Sequence, residues 1–313
     1  MQNNSTKTAA LNLHSQDAKF DSPARAVGAI LVAVFALSLG DALIKQMSTG
    51  FVLWQVFVIR SALAIPFLLS AIRLRSASTS FLPKVPVWTL LRSLMLVAMW
   101  LAYYAALPHL QLSVAAAAYY TLPLFITLFS PLLAGEKVRL IGWIAVLIGF
   151  VGVLLVLRPD ESDFNYYALL PLLSAILYAL AMIMTRTKCR EEDPLVLSAI
   201  LNFCFIVAGI VGTLIVSNTE SQYYTLFLKA DWTPMGLTEW IAMAILAISI
   251  LFGSIGAAVA YQSGRPATVG TFDFAYVGFA VIWGFLFFAE VPDGMTLVGM
   301  AMIVAAGILS LRR

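Results

Sequence analysis

Some ionisable side chains of this sequence sit inside long apolar runs, where a charge needs a reason. Asp41, Lys45 and Arg60 fall within LSLGDALIKQMSTGFVLWQVFVIRSALAIPFLL, and Asp273 falls within VGTFDFAYVGFA. A charge at the centre of a bilayer costs about 2.5–3.5 kcal/mol on insertion scales, so such residues mark ion pairs, substrate contacts or proton paths. Asp41 and Lys45 are four positions apart, acid before base, which places both on one helix face. Arg60 lies about 14 Å into the next run and Asp41 about 9 Å from the same edge, at 1.5 Å per residue. The expectation is that Asp41 is shared by Lys45 and Arg60 and that these charges face a water-filled cavity rather than lipid. A structural ion pair, or a Lys45 that reaches back to the interface, is the plainer alternative. Asp273 lies between Phe272 and Phe274 with no basic neighbour in sequence. The roles open to it are proton exchange, contact with the polar edge of a substrate, or pairing with Arg60 or a helix end.

Aromatic residues gather around the same levels: Tyr103, Tyr104, Tyr119, Tyr120, Phe272, Phe274, Tyr276, Phe279 and Trp283. They either pack the interior or wall a flat substrate. The candidate substrate-binding set is Asp41, Lys45, Arg60, Tyr103, Tyr119, Tyr120, Asp273 and Phe274. No catalytic set, cofactor site or metal site is read. Cys189 and Cys204 suggest neither a disulfide nor a metal site, His14 belongs to a polar N-terminal stretch, and His109 reads as a solvated loop residue.

The elements that must hold these residues are membrane helices. The chain is 61% hydrophobic and 11% charged, with a mean hydropathy of +0.93, against roughly 25% charged residues in soluble domains. Apolar runs this long do not alternate as barrel strands do, and spanning backbone must satisfy its own hydrogen bonds. Ten candidate spans follow: about 26–47, 51–72, 87–107, 112–133, 139–157, 166–185, 194–216, 237–260, 266–288 and 294–311. Residues 1–25 are polar and read as a disordered tail. Basic residues crowd the segments that share the N-terminal side, among them Arg73, Lys84, Arg139, Arg186 and Arg265, whereas RPDESDF and EVPDG on the other side are acidic. By the positive-inside rule both termini are cytoplasmic.

The fourth and ninth spans end alike, FITLFSPLLAGE at Glu136 and FAVIWGFLFFAE at Glu290. Both glutamates read as interfacial or structural residues. Five spans per half make the second half insert upside down, an inverted-topology repeat of the kind found in secondary transporters. The predicted fold is therefore an all-α membrane protein of ten transmembrane helices in two inverted-topology repeats. Residues 26–158 form the first repeat, 159–165 a periplasmic linker and 166–313 the second repeat. Tyr119–Tyr120 and Asp273–Phe274 occupy matching levels. Gly253, Gly256 and Ala260 have the spacing that permits close helix approach.

AAAAYYTLPLFITLFSPLLAGEKVRLIGWIAVLIGFVGVLLVLRP and its counterpart ATVGTFDFAYVGFAVIWGFLFFAEVPDGMTLVGMAMIVAAGILSL resemble the EamA-like ten-helix branch of the drug/metabolite transporter superfamily. The likeness rests on Pro123, on the small-residue–Glu endings and on the glycine-bearing last helix of each half. The ninth span departs from it, with Val277 level with Pro123. The resemblance implies a central site among helices one to four and six to nine, with helices five and ten at the periphery. It also implies a secondary transporter of the bacterial inner membrane working by alternating access. The aromatic cluster favours riboflavin uptake, and export of amino acids or other small metabolites is the alternative. The sequence holds no GxxxxGK[ST] loop for ATP. An intramembrane enzyme lacks HExxH or GxSxG support, and a scaffold or sensor lacks a soluble domain. Expected partners are the small-molecule substrate, the lipid bilayer, a coupling proton and a second copy of the chain, and not nucleic acid.

Overall fold

A computed structural model describes residues 22–48, 50–75, 82–133, 135, 139–157, 165–217, 226–228 and 232–310. Its helices are α1 (Pro23–Met47), α2 (Leu53–Arg75), α3 (Pro86–Ala106), α4 (Leu112–Tyr119), α5 (Leu122–Leu133) and α6 (Leu140–Leu157). They continue with α7 (Leu169–Thr187), α8 (Pro194–Ser217), α9 (Leu237–Ser263), α10 (Pro266–Asp273), α11 (Ala275–Phe288) and α12 (Gly294–Ser310). α1 and α3 open on a proline in the first turn, where its missing N–H costs nothing. Each expected span is present, and the fourth and ninth are each broken in two. The protein is an all-helical, ten-span membrane protein. Among the described residues seven helical runs, the broken fourth span being one of them, are long and apolar enough to cross a membrane, and shorter apolar helices make up the others.

The breaks are a feature that periodicity alone did not reveal. In the fourth span Pro123 cannot donate to the carbonyl four residues back, and the chain turns at Tyr120 and Thr121 before α5 begins. The ninth span breaks at Phe274 with no proline. Both first halves, α4 and α10, are eight residues long, so the breaks lie at equivalent positions and carry Tyr119–Tyr120 and Asp273–Phe274.

The packing obeys an exchange of halves. α1 lies along α9 as α3 lies along α7, the first span with the eighth and the third with the sixth. α1 also packs on α11 as α7 packs on α5, and α2 pairs with α8. α6 and α12 pair with each other. The small-residue positions on α9 act as expected. A Cβ on Gly253 would run into a methyl of Leu37, and one on Gly256 would lie 2.9 Å from the carbonyl oxygen of Ala29.

At the α6–α12 crossing the contact is reciprocal. A Cβ on Gly152 would sit 2.7 Å from the Gly299 carbonyl oxygen, and one on Gly299 would sit 2.6 Å from that of Gly152. Backbone cannot yield as a side-chain tip can. Gly152→Val is therefore expected to destabilise the protein by about 1–3 kcal/mol or more, the cost of overpacking a filled site. Thermal unfolding of the purified protein checks this, and an unchanged midpoint would show that the helices slide apart freely.

The small-residue–Glu endings have a conformational cause. Gly135 has φ +66° and Ala289 has φ 54°, both in the left-handed region that ends a helix. At Ala289 the turn closes with the Glu290 N–H donating to the Gly284 carbonyl at 3.1 Å. A small residue there meets the least steric resistance, and the turn aims the following glutamate back toward the bundle. Glu136, residue 158, residues 159–164 of the linker and residues 1–21 of the tail lie outside the described residues.

Candidate functional site

Asp41 is 1% exposed on α1 and accepts hydrogen bonds from two tyrosines of other helices. The Tyr104 hydroxyl on α3 donates to Oδ1 at 3.0 Å, and the Tyr276 hydroxyl on α11 donates to Oδ2. Tyr103 lies 3.2 Å from the Tyr276 hydroxyl. Arg60 on α2 donates from Nη1 to the Tyr104 hydroxyl at 3.2 Å. Tyr104 thus stands between cation and carboxylate, accepting from one and donating to the other. Arg60 is stacked among Phe205, Phe57 and Tyr104, with its guanidinium carbon 4.6, 5.1 and 5.5 Å from the ring centres.

Asp273, also 1% exposed, closes α10. It accepts from the Tyr261 hydroxyl on α9 at 2.8 Å, and the Tyr120 hydroxyl stands 3.5 Å away, long for such a bond. The rings of Tyr120 and Tyr276 stack at 4.7 Å and 27°. One stacked pair therefore joins the Asp41 group to the Asp273 group, and it comes from the two broken spans. Tyr119 packs against Tyr103, Tyr120 and Tyr178, and Phe274 lies 6.1 Å from Tyr120. The centre of the bundle is a tyrosine cluster holding two carboxylates and bordered by one arginine.

One expected grouping is corrected. Lys45 does not share Asp41. Its ammonium donates to Glu290 Oε1 at 2.5 Å and to the Leu110 carbonyl at 2.7 Å. The other Glu290 oxygen accepts the Leu112 N–H, the first of α4, at 2.9 Å. The physical reason is position. Lys45 stands in the last turn of α1, where the bundle end offers a carboxylate and a free carbonyl, while both Asp41 oxygens are already taken by tyrosines. Nor does Asp41 pair directly with Arg60 or face open water in this conformation. Asp273 likewise meets tyrosines rather than Arg60. Tyr103, Tyr119, Tyr120 and Phe274 do join the cluster. His109 is also corrected: it is half-buried and stacks on Tyr167 at 3.7 Å and 15°.

The Lys45–Glu290 pair ties α1, the start of α4 and the end of α11 at one end of the bundle, with both side chains 14% exposed. At the opposite end the bonds run mainly to backbone. Glu192 accepts from the Val85 N–H at 2.6 Å, and Gln262 donates to the carbonyls of Cys189 and Glu192. Arg92, buried on α3, donates from Nε to Thr185 Oγ1 at 2.6 Å. Bonds between helices thus lie on both sides of the tyrosine cluster. Breaking the ion pair from either side is expected to cost about 1–3 kcal/mol, with Lys45→Met and Glu290→Gln strongly non-additive. Thermal unfolding of the two single variants and the double variant checks this, and additive effects would show that the pair is not a unit.

Tyr178 and Tyr261, on α7 and α9, were not among the candidates. A faint signal existed: Ala102–Tyr103 and Ala260–Tyr261 stand shortly before Pro108 and Pro266, which precede or open the following broken span in each half. Glu290 was seen as a helix ending but not as a partner of Lys45.

Residues 24–158 match the model of the EamA-like transporter family. Over most of their length, relatives align with both halves. A pseudopaline exporter of Pseudomonas aeruginosa is 27% identical over 279 residues, covering 88% of this chain and 92% of that one. The chain resembles EamA-like transporters, by family model in residues 24–158 and by relatives across both halves. A riboflavin transporter of Rhizobium johnstonii is 30% identical over 217 residues, 68% of this chain and 65% of its own. An S-adenosylmethionine uptake transporter of Rickettsia felis is 22% identical over 290 residues, 90% of each. One crystal structure shares the fold, with a TM-score of 0.66 at 20% identity, covering 93% of this chain and 100% of its own. The chain is a multi-pass membrane protein, and the relatives it aligns with are named as transporters of small metabolites.

Proposed function

We propose that this protein is a secondary transporter that moves a small, partly flat organic metabolite across the bacterial inner membrane by alternating access. The observation that carries this reading is the buried cluster at the two helix breaks, where Tyr120 stacks on Tyr276 between two tyrosine-held carboxylates. Broken helices at a repeat interface place polar groups and free backbone where a substrate is held. Flat rings would line the passage as the halves rock, with the Lys45–Glu290 end and the Glu192–Gln262 end opening in turn. Basic residues on the N-terminal side support cytoplasmic termini, which a reporter fused after Arg313 reads directly. Residues 26–158 and 166–313 are taken as the two repeats.

Riboflavin suits aromatic walls and is named for relatives of this chain, so its uptake is the first reading to test. Export of an amino-acid-like metabolite is the second, favoured by the buried cation Arg60, which a substrate without charge leaves unused. A coupling proton carried by Asp273 and a homodimer complete the proposal. Solute counterflow in proteoliposomes is the deciding experiment. Trans-stimulated exchange of a metabolite is expected, and a protein that never exchanges solute across the bilayer would defeat the transporter mechanism proposed.

A further inference from the structure

We propose that the Nε–Nη2 edge of Arg60 is the docking point for a carboxylate of the transported molecule. This rests on the transporter reading and narrows its substrate class. Arg60 is 2% exposed, yet neither Nε nor Nη2 has a hydrogen-bond partner among the described residues. Only Nη1 is engaged, on the Tyr104 hydroxyl. Nε and Nη2 are the two donors on one side of the planar guanidinium, and their N–H bonds run parallel. That fork matches the two oxygens of a carboxylate.

The protein's own groups leave the fork vacant. Asp41, the nearest acid by connection, is turned away by its bonds to Tyr104 and Tyr276. The rings of Phe205 and Phe57 attract the cation but offer no directed acceptor for an in-plane N–H. Buried donors left without partners are costly, and an arriving oxyanion removes that cost. Arg92, also buried among the described residues, has its Nε on Thr185, so its Nε–Nη2 edge is not free and the unpartnered atom is Nη1. Flat rings of Phe205, Phe57 and Tyr104 surround the guanidinium, and Trp100 stacks on Tyr104 at 4.9 Å and 29°. The inferred substrate is an organic acid or zwitterion with a conjugated portion. Riboflavin has no carboxylate, so the two substrates separate in one assay.

The test uses the full chain purified in detergent. Its melting temperature is measured with L-tryptophan and L-tryptophanamide, with indole-3-acetate and indole-3-acetamide, with riboflavin, and with inorganic phosphate. At least one acid is expected to raise the midpoint by a few degrees while its amide does not. Arg60→Gln is expected to abolish the rise, and Arg60→Lys, a point charge without a fork, to retain a weaker one. The inference is overturned if no acid acts, if amides match acids, if phosphate alone acts, or if a folded Arg60→Gln protein keeps the rise. Should Arg60→Gln not fold, the acid–amide comparison on the natural protein and on Arg60→Lys decides. Riboflavin counterflow, run in parallel, separates the two levels. Exchange that persists in Arg60→Gln with no acid effect removes the carboxylate site and keeps the transporter, whereas absence of any exchange by the natural protein removes the transporter reading.

Discussion

Asp41→Ala is expected to lower transport by roughly 10–100-fold, the rate equivalent of about 1.5–3 kcal/mol for hydrogen bonds to a charged group. Three helices meet at this carboxylate, with Tyr104 of α3 on one oxygen and Tyr276 of α11 on the other. Alanine leaves both hydroxyls without their acceptor, and one of them, Tyr104, is also the group that holds Arg60. The loss therefore reaches α1, α2, α3 and α11 together. Asp41→Asn keeps an acceptor oxygen and is expected to lose less. Initial exchange rates in proteoliposomes, normalised to inserted protein, provide the check. Natural rates in Asp41→Ala would mean that the cluster is packing alone.

Asp273→Asn is the second large effect, and its form separates two roles. The carboxylate sits at the break between α10 and α11, with Tyr261 donating to it at 2.8 Å. Asparagine keeps the shape and one acceptor but cannot bind and release a proton. If Asp273 carries the coupling proton, Asn abolishes gradient-driven accumulation and leaves exchange intact. If it contacts the substrate, accumulation and exchange fall together with apparent affinity. The first outcome is expected, because Tyr261 and Tyr120 already occupy the side chain as a substrate would. Natural accumulation and exchange in the variant would leave Asp273 as a strut between α9 and α10.

The spans were legible because an apolar run has to match the thickness of a bilayer. The ninth candidate, 266–288, has the same outer ends as α10 and α11. Its internal break was not legible, because nothing in FDFAY forbids a helix, whereas Pro123 marked the fourth span. The level of a residue along its helix could also be read, which is how Asp41, Arg60, Tyr103, Tyr119, Tyr120 and Asp273 were singled out. Azimuth and partner could not. Lys45 stands four residues from Asp41 but bonds Glu290, 245 positions away. Helical spacing offered the local pair, and the tertiary fold supplied a better carboxylate at the bundle end.

The exchange of halves also bears on how the chain is made. Synthesis delivers the first spans to the membrane before the later ones exist. Yet Asp41 receives one of its two donors from Tyr276, and Arg60 one of its covering rings from Phe205, both in the second half. While the nascent chain is short, these charges have only Tyr104 and neighbouring first-half residues for company. The first half must then wait as an unfinished guest of the insertion machinery, held near water or chaperoned by it, until the second half arrives to shield its charges.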